Sequence, residues 1–329
     1  MSANAATRLL QHYVDNFRRL PWRAAPGAPA PDPYRVWLSE IMLQQTTVAA
    51  VTPRFQRFIE RWPSIAALAA AADADVLQEW AGLGYYARAR NLIACARTVA
   101  QQGGFPREQA QLRKLPGVGD YTAAAIAAIA FGADATPVDT NVERIIARLH
   151  ALTGKAEIGS AAIAMTPSGR AGDFAQSLMD LGSAICRPKA PQCPRCPLAQ
   201  DCRALALGTP EAFPAAKARK PRPQKHGIAW WIERDDHVWL VRRPAKGMLG
   251  GMAALPGPVW GDEPAGGAAL ARVRHVFTHF ALELAIVPAA QPHGDGWWQP
   301  LGALAEAGLP TLYRRAADAV LAQRRPLAA

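Results

Sequence analysis

"LRKLPGVGDYTAAAIAAIAFG", residues 112–132, is the stretch on which the reading of the whole chain turns. It predicts a helix ending at Lys114 or Leu115, a tight turn over Pro116-Gly117-Val118-Gly119, and a second helix starting near Asp120. Glycine admits positive φ, and successive backbone N–H groups converging at a helix N-terminus form an anion site, so a phosphate could dock on Gly117, Val118 and Gly119. Taken alone, the same pattern also reads as an ordinary helix–helix turn. The alanine-rich run behind it predicts a tightly packed helix rather than a membrane span, which needs a longer apolar stretch.

Outward from this point, residues 7–205 carry helical periodicity throughout, including one long segment "PYRVWLSEIMLQQTTVAAVTPRFQRFIERW" over 33–62. The pattern breaks at "LGTPEAFPAAKARKPRPQK", where prolines and basic residues predict a linker. Beyond it, "HGIAWWIER", "HVWLVRRP", "HVFTHFALELAIVP" and "DGWWQPL" read as strands, with a last helix from about Tyr313. The expected architecture is multidomain: an all-α domain over 1–205, a basic linker over 206–225 and an α+β domain over 226–329.

The chain has 37 Lys and Arg against 26 Asp and Glu, a formal charge of +11, which points to a polyanionic partner. Its five cysteines are too few for a disulfide scaffold and no secretory segment opens the sequence, so a reducing, cytoplasmic setting without membrane association is expected.

Four of those cysteines fall in "CRPKAPQCPRCPLAQDC", as Cys186, Cys193, Cys196 and Cys202. Zinc usually draws its ligands as two separated pairs, whereas a single loop with one central C-x-x-C suits a 4Fe-4S cube; zinc stays open as the alternative. Arg187, Lys189 and Arg195 make the same loop basic. Cys95, in an alanine-rich helix, reads as a small buried apolar residue.

Two carboxylates have uneventful local readings. On a helical wheel Glu40, Gln44 and Thr47 lie opposite Leu38, Ile41, Met42 and Val48, so Glu40 reads as a solvated charge. Asp139 opens "VDTNVERIIARL" and by itself reads as a helix cap, while Thr140 and Glu143 suggest a capping box and Val142, Ile145, Ile146 and Leu149 a buried face. A carboxylate there is favoured in its ionised form by the helix N-terminus.

Together, "LSEIMLQQTTV", "GLGYYARARNL", "LPGVGDYTAAAI", "VDTNVERIIARL" and the C-x6-C-x2-C-x5-C spacing resemble the helix-hairpin-helix DNA glycosylases that carry an iron-sulfur cluster, and among them the MutY-type adenine glycosylases. The resemblance runs from about residue 8 to 205. It implies a 4Fe-4S cluster on the four cysteines and base excision from double-stranded DNA in which adenine faces 8-oxoguanine or guanine, by a monomer associated with the nucleoid. It further implies catalytic roles for Glu40, Asp139, Tyr121 and Asn141, with Trp22, Arg23 and Leu43 around the purine. Gln45, Thr46, Leu83, Tyr85 and the hairpin would contact DNA.

The related endonuclease III family carries a Schiff-base lysine where this chain has Tyr121, and a phenol cannot form an imine, so hydrolysis without strand cleavage is expected. The second domain resembles the Nudix fold of MutT in "KGMLGGMAALPG" but lacks the glutamate-rich metal helix, having only Asp262 and Glu263 nearby. By the same resemblance Phe277, Thr278 and His279 would read 8-oxoguanine, threonine standing where the family has serine; read by itself, "HVFTHF" is a strand. The alternatives are a mismatch thymine or uracil glycosylase, an endonuclease III-like enzyme, and a non-catalytic iron-sulfur DNA-binding protein.

Overall fold

The computed structural model describes residues 2–215, 221–244, 247–263 and 268–323. Its helices are α1 (Ser2–Asp15), α2 (Pro33–Leu43), α3 (Val48–Arg61), α4 (Ile65–Ala70), α5 (Asp73–Trp80), α6 (Ala87–Gln101), α7 (Gln109–Leu112), α8 (Asp120–Phe131), α9 (Thr140–His150), α10 (Lys155–Met165), α11 (Ala171–Ala184), α12 (Arg203–Ala206) and α13 (Thr311–Ala322). The strands are β1 (Gln224–Trp231), β2 (Glu233–Arg234), β3 (His237–Arg242), β4 (Ala253–Ala254), β5 (Ala271–Val276), β6 (Ala281–Pro288) and β7 (Gly296–Pro300). Two compact units result, one of Met1–Ala70 with Ala94–Ala218, the other of Ala71–Ile93 with Arg219–Ala329. Residues 216–220 of the expected linker lie outside the described residues.

The first unit is wholly helical among its described residues and is centred on α8. Every side chain from Thr122 to Ala130 is buried, because alanine lets neighbouring helices approach on all sides. The closeness is measurable at Gly172 of α11, where a Cβ would lie 2.6 Å from the Ala128 carbonyl. Helices α2 and α11 both pack on α8. A second cluster, built from Leu9, Val142, Ile146, Phe174 and Leu178, joins α1, α9 and α11 and is flanked by Cys186, Cys196 and Cys202.

Three local expectations are corrected. The 33–62 segment is two helices, because Gln45 takes the left-handed region (φ 59°) and the Thr47 side chain caps α3 by accepting from Ala50 N. The helix before the hairpin ends at Leu112, with residues 113–115 already turning. The Thr140–Glu143 capping box does not form, because Asp139 is the N-cap of α9, as its position by itself suggests, and accepts from Asn141 N and Val142 N.

In the second unit, β1 pairs in parallel with β6 and β5 antiparallel with β6, while β3 pairs with β2, β4 and β7. Alternating residues Val238 and Leu240, Leu282, Leu284 and Ile286 enclose a core with Leu312, Tyr313 and Ala316 of α13. "HVFTHF" is not one strand: β5 stops at Val276, and the Phe277 amide donates to the Phe280 carbonyl at 2.8 Å, closing a hairpin.

Candidate active site and metal centre

Helix α2 starts at Pro33, with Asp32 accepting from Tyr34 N as its cap, and is buried along nearly its whole length from Tyr34 to Met42. Its wheel therefore has no solvated side, and Glu40 is 7% exposed rather than a surface charge. Burial pushes its pKa from 4.5 up to about 7, opposed by a hydrogen bond from Tyr121 and by the Arg23 charge, and aided by Asp139. Tyr121, in the first turn of α8, is driven well above the ordinary tyrosine range, first by burial and then by the Glu40 and Asp139 charges.

Asp139 is held differently. One oxygen accepts from Asn141 N at 2.9 Å and Val142 N at 2.8 Å, and the other from Asn141 Nδ2 at 2.8 Å. A helix N-terminus thus fixes this carboxylate, whereas an apolar helix surround raises the other.

Both carboxylates line a cleft of about 940 Å³, together with Trp22, Arg23, Leu43, Gln45, Thr46, Tyr121 and Asn141. That volume suits a ligand of nucleotide size. Trp22 is buried edge-on against Phe55 at 5.1 Å, and Arg23 is anchored by Asp180 at 2.6 Å. The sequence reading missed Asp180, which also pairs with Arg18 at 3.1 Å. In the hairpin, Gly117 has φ 73° and Val118 is buried, but Gly119 is extended and needs no special freedom. No side chain caps α8, which leaves its first N–H groups available to an anion.

Leu83, Tyr85, Phe277, Thr278 and His279 belong to the second unit. Leu83 is buried, while Tyr85, at φ 48° and 48% exposed, has its hydroxyl 2.9 Å from that of Thr278.

Two arginines that the sequence reading passed over hold the cysteine loop, and the first of them also reaches the cleft wall at Asn141. Arg144, 7% exposed, donates to Asn141 Oδ1 (2.9 Å), the Gly182 carbonyl (2.9 Å) and the Cys186 carbonyl (2.8 Å). Arg148, 3% exposed, donates to the carbonyls of Arg187 (2.7 Å), Pro188 (3.0 Å) and Phe213 (3.0 Å), and to Cys186 Sγ at 3.4 Å. Their four-residue spacing beside the apolar positions of α9 was the available signal.

Cys186, Cys193, Cys196 and Cys202 are free, half-buried and line one small cavity. The Cys196 thiol is pushed up to about 11, first by burial and further by the neighbouring Cys186, Cys202 and Cys193 thiolates. Such mutual repulsion is what a shared cationic centre relieves. Among the described residues no three of His, Cys, Asp or Glu converge enough to hold a single metal ion. Four thiols lining one cavity supply the four-thiolate ligand set that a 4Fe-4S cube takes.

Comparison with known proteins places these features in a lineage. Residues 38–165 match the HhH-GPD superfamily of base excision DNA repair proteins, and residues 227–319 match a NUDIX domain. An adenine DNA glycosylase of Mycolicibacterium smegmatis is 39% identical over 221 residues, covering 64% of this chain and 73% of that protein. One from Arabidopsis thaliana is 36% identical over 301 residues, covering 78% of this chain but 47% of its own, so this chain spans about half the length of the plant relative. The solved structure of a thermostable thymine-DNA glycosylase aligns at 29% identity and TM-score 0.55, over 61% of this chain and 95% of that one. With identity at this level spread over most of the bacterial relative, the chain belongs to the adenine DNA glycosylase family.

Proposed function

We propose that the protein removes adenine from double-stranded DNA in which that base faces 8-oxoguanine or guanine, by hydrolysis of the N-glycosidic bond. The observation that carries this reading is the pair of carboxylates in one cleft, Glu40 raised to about 7 by burial and Asp139 fixed at a helix N-terminus. Two carboxyl groups held in such different surroundings suit an acid and a charge stabiliser.

In this mechanism the target nucleotide is flipped out of the stack at a cost of a few kcal/mol and enters the cleft between Trp22, Arg23 and Leu43. Protonated Glu40 gives its proton to N7 of adenine, and the C1′–N9 bond breaks with its electron pair moving onto the base. Asp139, oriented by Asn141, faces the positive charge developing on the sugar. Water then adds to C1′ and leaves its proton on Glu40, giving free adenine and an abasic site. Tyr121, hydrogen-bonded to Glu40, holds that carboxyl in place and offers no amine for strand cleavage.

The hairpin Gly117-Val118-Gly119 binds backbone phosphate at the uncapped start of α8, and Gln45 and Thr46 at the cleft meet the bases around the vacated position. Residues 1–205 form the excising domain, 206–225 the linker, and 226–329 the domain whose Phe277, Thr278 and His279 read the oxidised base. A 4Fe-4S cluster on Cys186, Cys193, Cys196 and Cys202 supplies structural cross-linking of a basic loop. The protein acts as a monomer on chromosomal DNA. The thymine-DNA glycosylase likeness supports one second reading, release of thymine opposite guanine.

The test is single-turnover base release from duplexes holding adenine opposite 8-oxoguanine, adenine opposite guanine, or thymine opposite guanine, each with and without alkali. Adenine release with strand breaks appearing only after alkali is the expected result. Preferential thymine release, or strand cutting without alkali, overturns the reading.

A further inference from the structure

The hairpin tip carrying Thr278 and His279 is exposed, closed by the Phe277 amide on the Phe280 carbonyl and with the Thr278 hydroxyl 2.9 Å from that of Tyr85. What lies beneath it is aromatic. Trp260 stacks on Phe277 with centroids 5.6 Å apart and planes at 28°, and meets Phe280 edge-on at 6.2 Å. Phe277 and Phe280 are themselves 4.9 Å apart. The Arg243 guanidinium lies 4.9 Å from the centre of the Trp260 ring and is in turn fixed on the Tyr313 hydroxyl of α13 at 2.8 Å. Strand β1 makes room for the indole with Gly227, where a Cβ would fall 2.5 Å from Trp260 Cδ1. A chain of contacts therefore runs from α13 through Arg243 and Trp260 to Phe277, and ends one residue short of the Thr278 hydroxyl.

We propose that Trp260 is a positioning residue that sets the height of the Thr278–His279 tip and thereby the chain's preference for the base opposite adenine. The inference rests on the reading of that tip given above. Guanine and 8-oxoguanine differ on this edge by one oxygen and one N–H, so telling them apart requires a hydroxyl held within hydrogen-bond reach, a tolerance of a few tenths of an ångström. Stacked aromatic contacts and a guanidinium over the ring supply that stiffness at modest conformational cost. Excision opposite plain guanine has no use for the tip, so its rate is independent of Trp260.

The experiment compares wild type, Trp260→Leu, Trp260→Phe and Thr278→Val in the full chain. Single-turnover adenine release is measured opposite 8-oxoguanine and opposite guanine, with thermal melting of each variant. Trp260→Leu is expected to lower the ratio of the two rates about tenfold, with release opposite guanine unchanged within about twofold and Trp260→Phe restoring most of the ratio. Should Trp260→Leu not fold, Trp260→Met, whose unbranched side chain fills irregular gaps without a stacking face, is read the same way. An unchanged ratio, or equal losses on both duplexes, overturns the inference. A wild type without preference, or a Thr278→Val variant that keeps it, overturns instead the reading of the tip beneath it.

Discussion

Arg144 donates one guanidinium N–H to the Asn141 amide oxygen at 2.9 Å, and Asn141 Nδ2 donates onward to Asp139 at 2.8 Å. The cation fixes which end of the Asn141 amide faces Asp139, because a guanidinium can only donate. Its Nε meanwhile holds the Cys186 carbonyl at 2.8 Å, so one buried side chain orders both the cleft wall and the start of the cysteine loop.

Replacing Arg144 by Leu leaves the Gly182 and Cys186 carbonyls without this partner and frees the Asn141 amide. The expected cost is about 2–4 kcal/mol of stability, with adenine release slowed at least tenfold. Denaturant unfolding and single-turnover kinetics check both. A variant with wild-type release and a changed midpoint would show that Arg144 serves the fold alone.

Gly182 stands where α11 passes the start of α9. A Cβ there would lie 2.7 Å from Asn141 Cβ, so Gly182→Ala displaces Asn141 and with it the orientation of Asp139. The expected result is a rate loss of about 10–100-fold with duplex affinity kept within about threefold. Equal loss of rate and affinity argues that the clash is relieved by moving the helix instead.

Much of this arrangement is legible in the sequence. The hairpin turn, the alanine-rich α8, the cysteine spacing and the positions of Glu40 and Asp139 all follow from residue pattern and family resemblance. The surroundings of Glu40 did not, because a wheel assumes one solvated side and α2 is buried nearly all round. Arg144 and Arg148 were passed over because a cation between apolar positions reads as surface until the carbonyls that satisfy it are known. The parallel pairing of β1 with β6 joins residues some sixty positions apart and leaves no local mark. Nor does the grouping of Ala71–Ile93 with the second unit, which depends on contacts distant in sequence.

The raised pKa of Glu40 has a consequence for stability. The unfolded chain titrates this group at its ordinary 4.5 and the folded chain at about 7, so between those values the folded state binds the proton more tightly. Its contribution is fully present below pH 4.5 and is lost as pH rises through about 7. Glu40→Gln does not titrate, so its stability relative to wild type should rise by about 3 kcal/mol from pH 4.5 to above 7. Denaturant titrations across that range measure it; a constant difference contradicts the assignment.

If the proposed 4Fe-4S cluster is bound, chelating its iron should loosen the middle of the 186–202 loop, since Arg144 and Arg148 hold its beginning and Arg8 and the buried Leu198 its end. Elemental analysis is expected to give about four irons and little zinc per chain, with chelated protein cut by protease within the loop and bound more weakly to duplex. Stoichiometric zinc, or a loop equally resistant after chelation, contradicts the cluster assignment.

The most direct test of the account is the pH dependence of single-turnover adenine release for wild type and Glu40→Gln. If Glu40 supplies the proton, wild-type release falls as pH rises through about 7, and Glu40→Gln is slower by about 10²–10⁴-fold with no such titration while still binding duplex. A wild-type rate flat across that range, or a Glu40→Gln variant that releases adenine at the wild-type rate, would remove Glu40 from the chemistry.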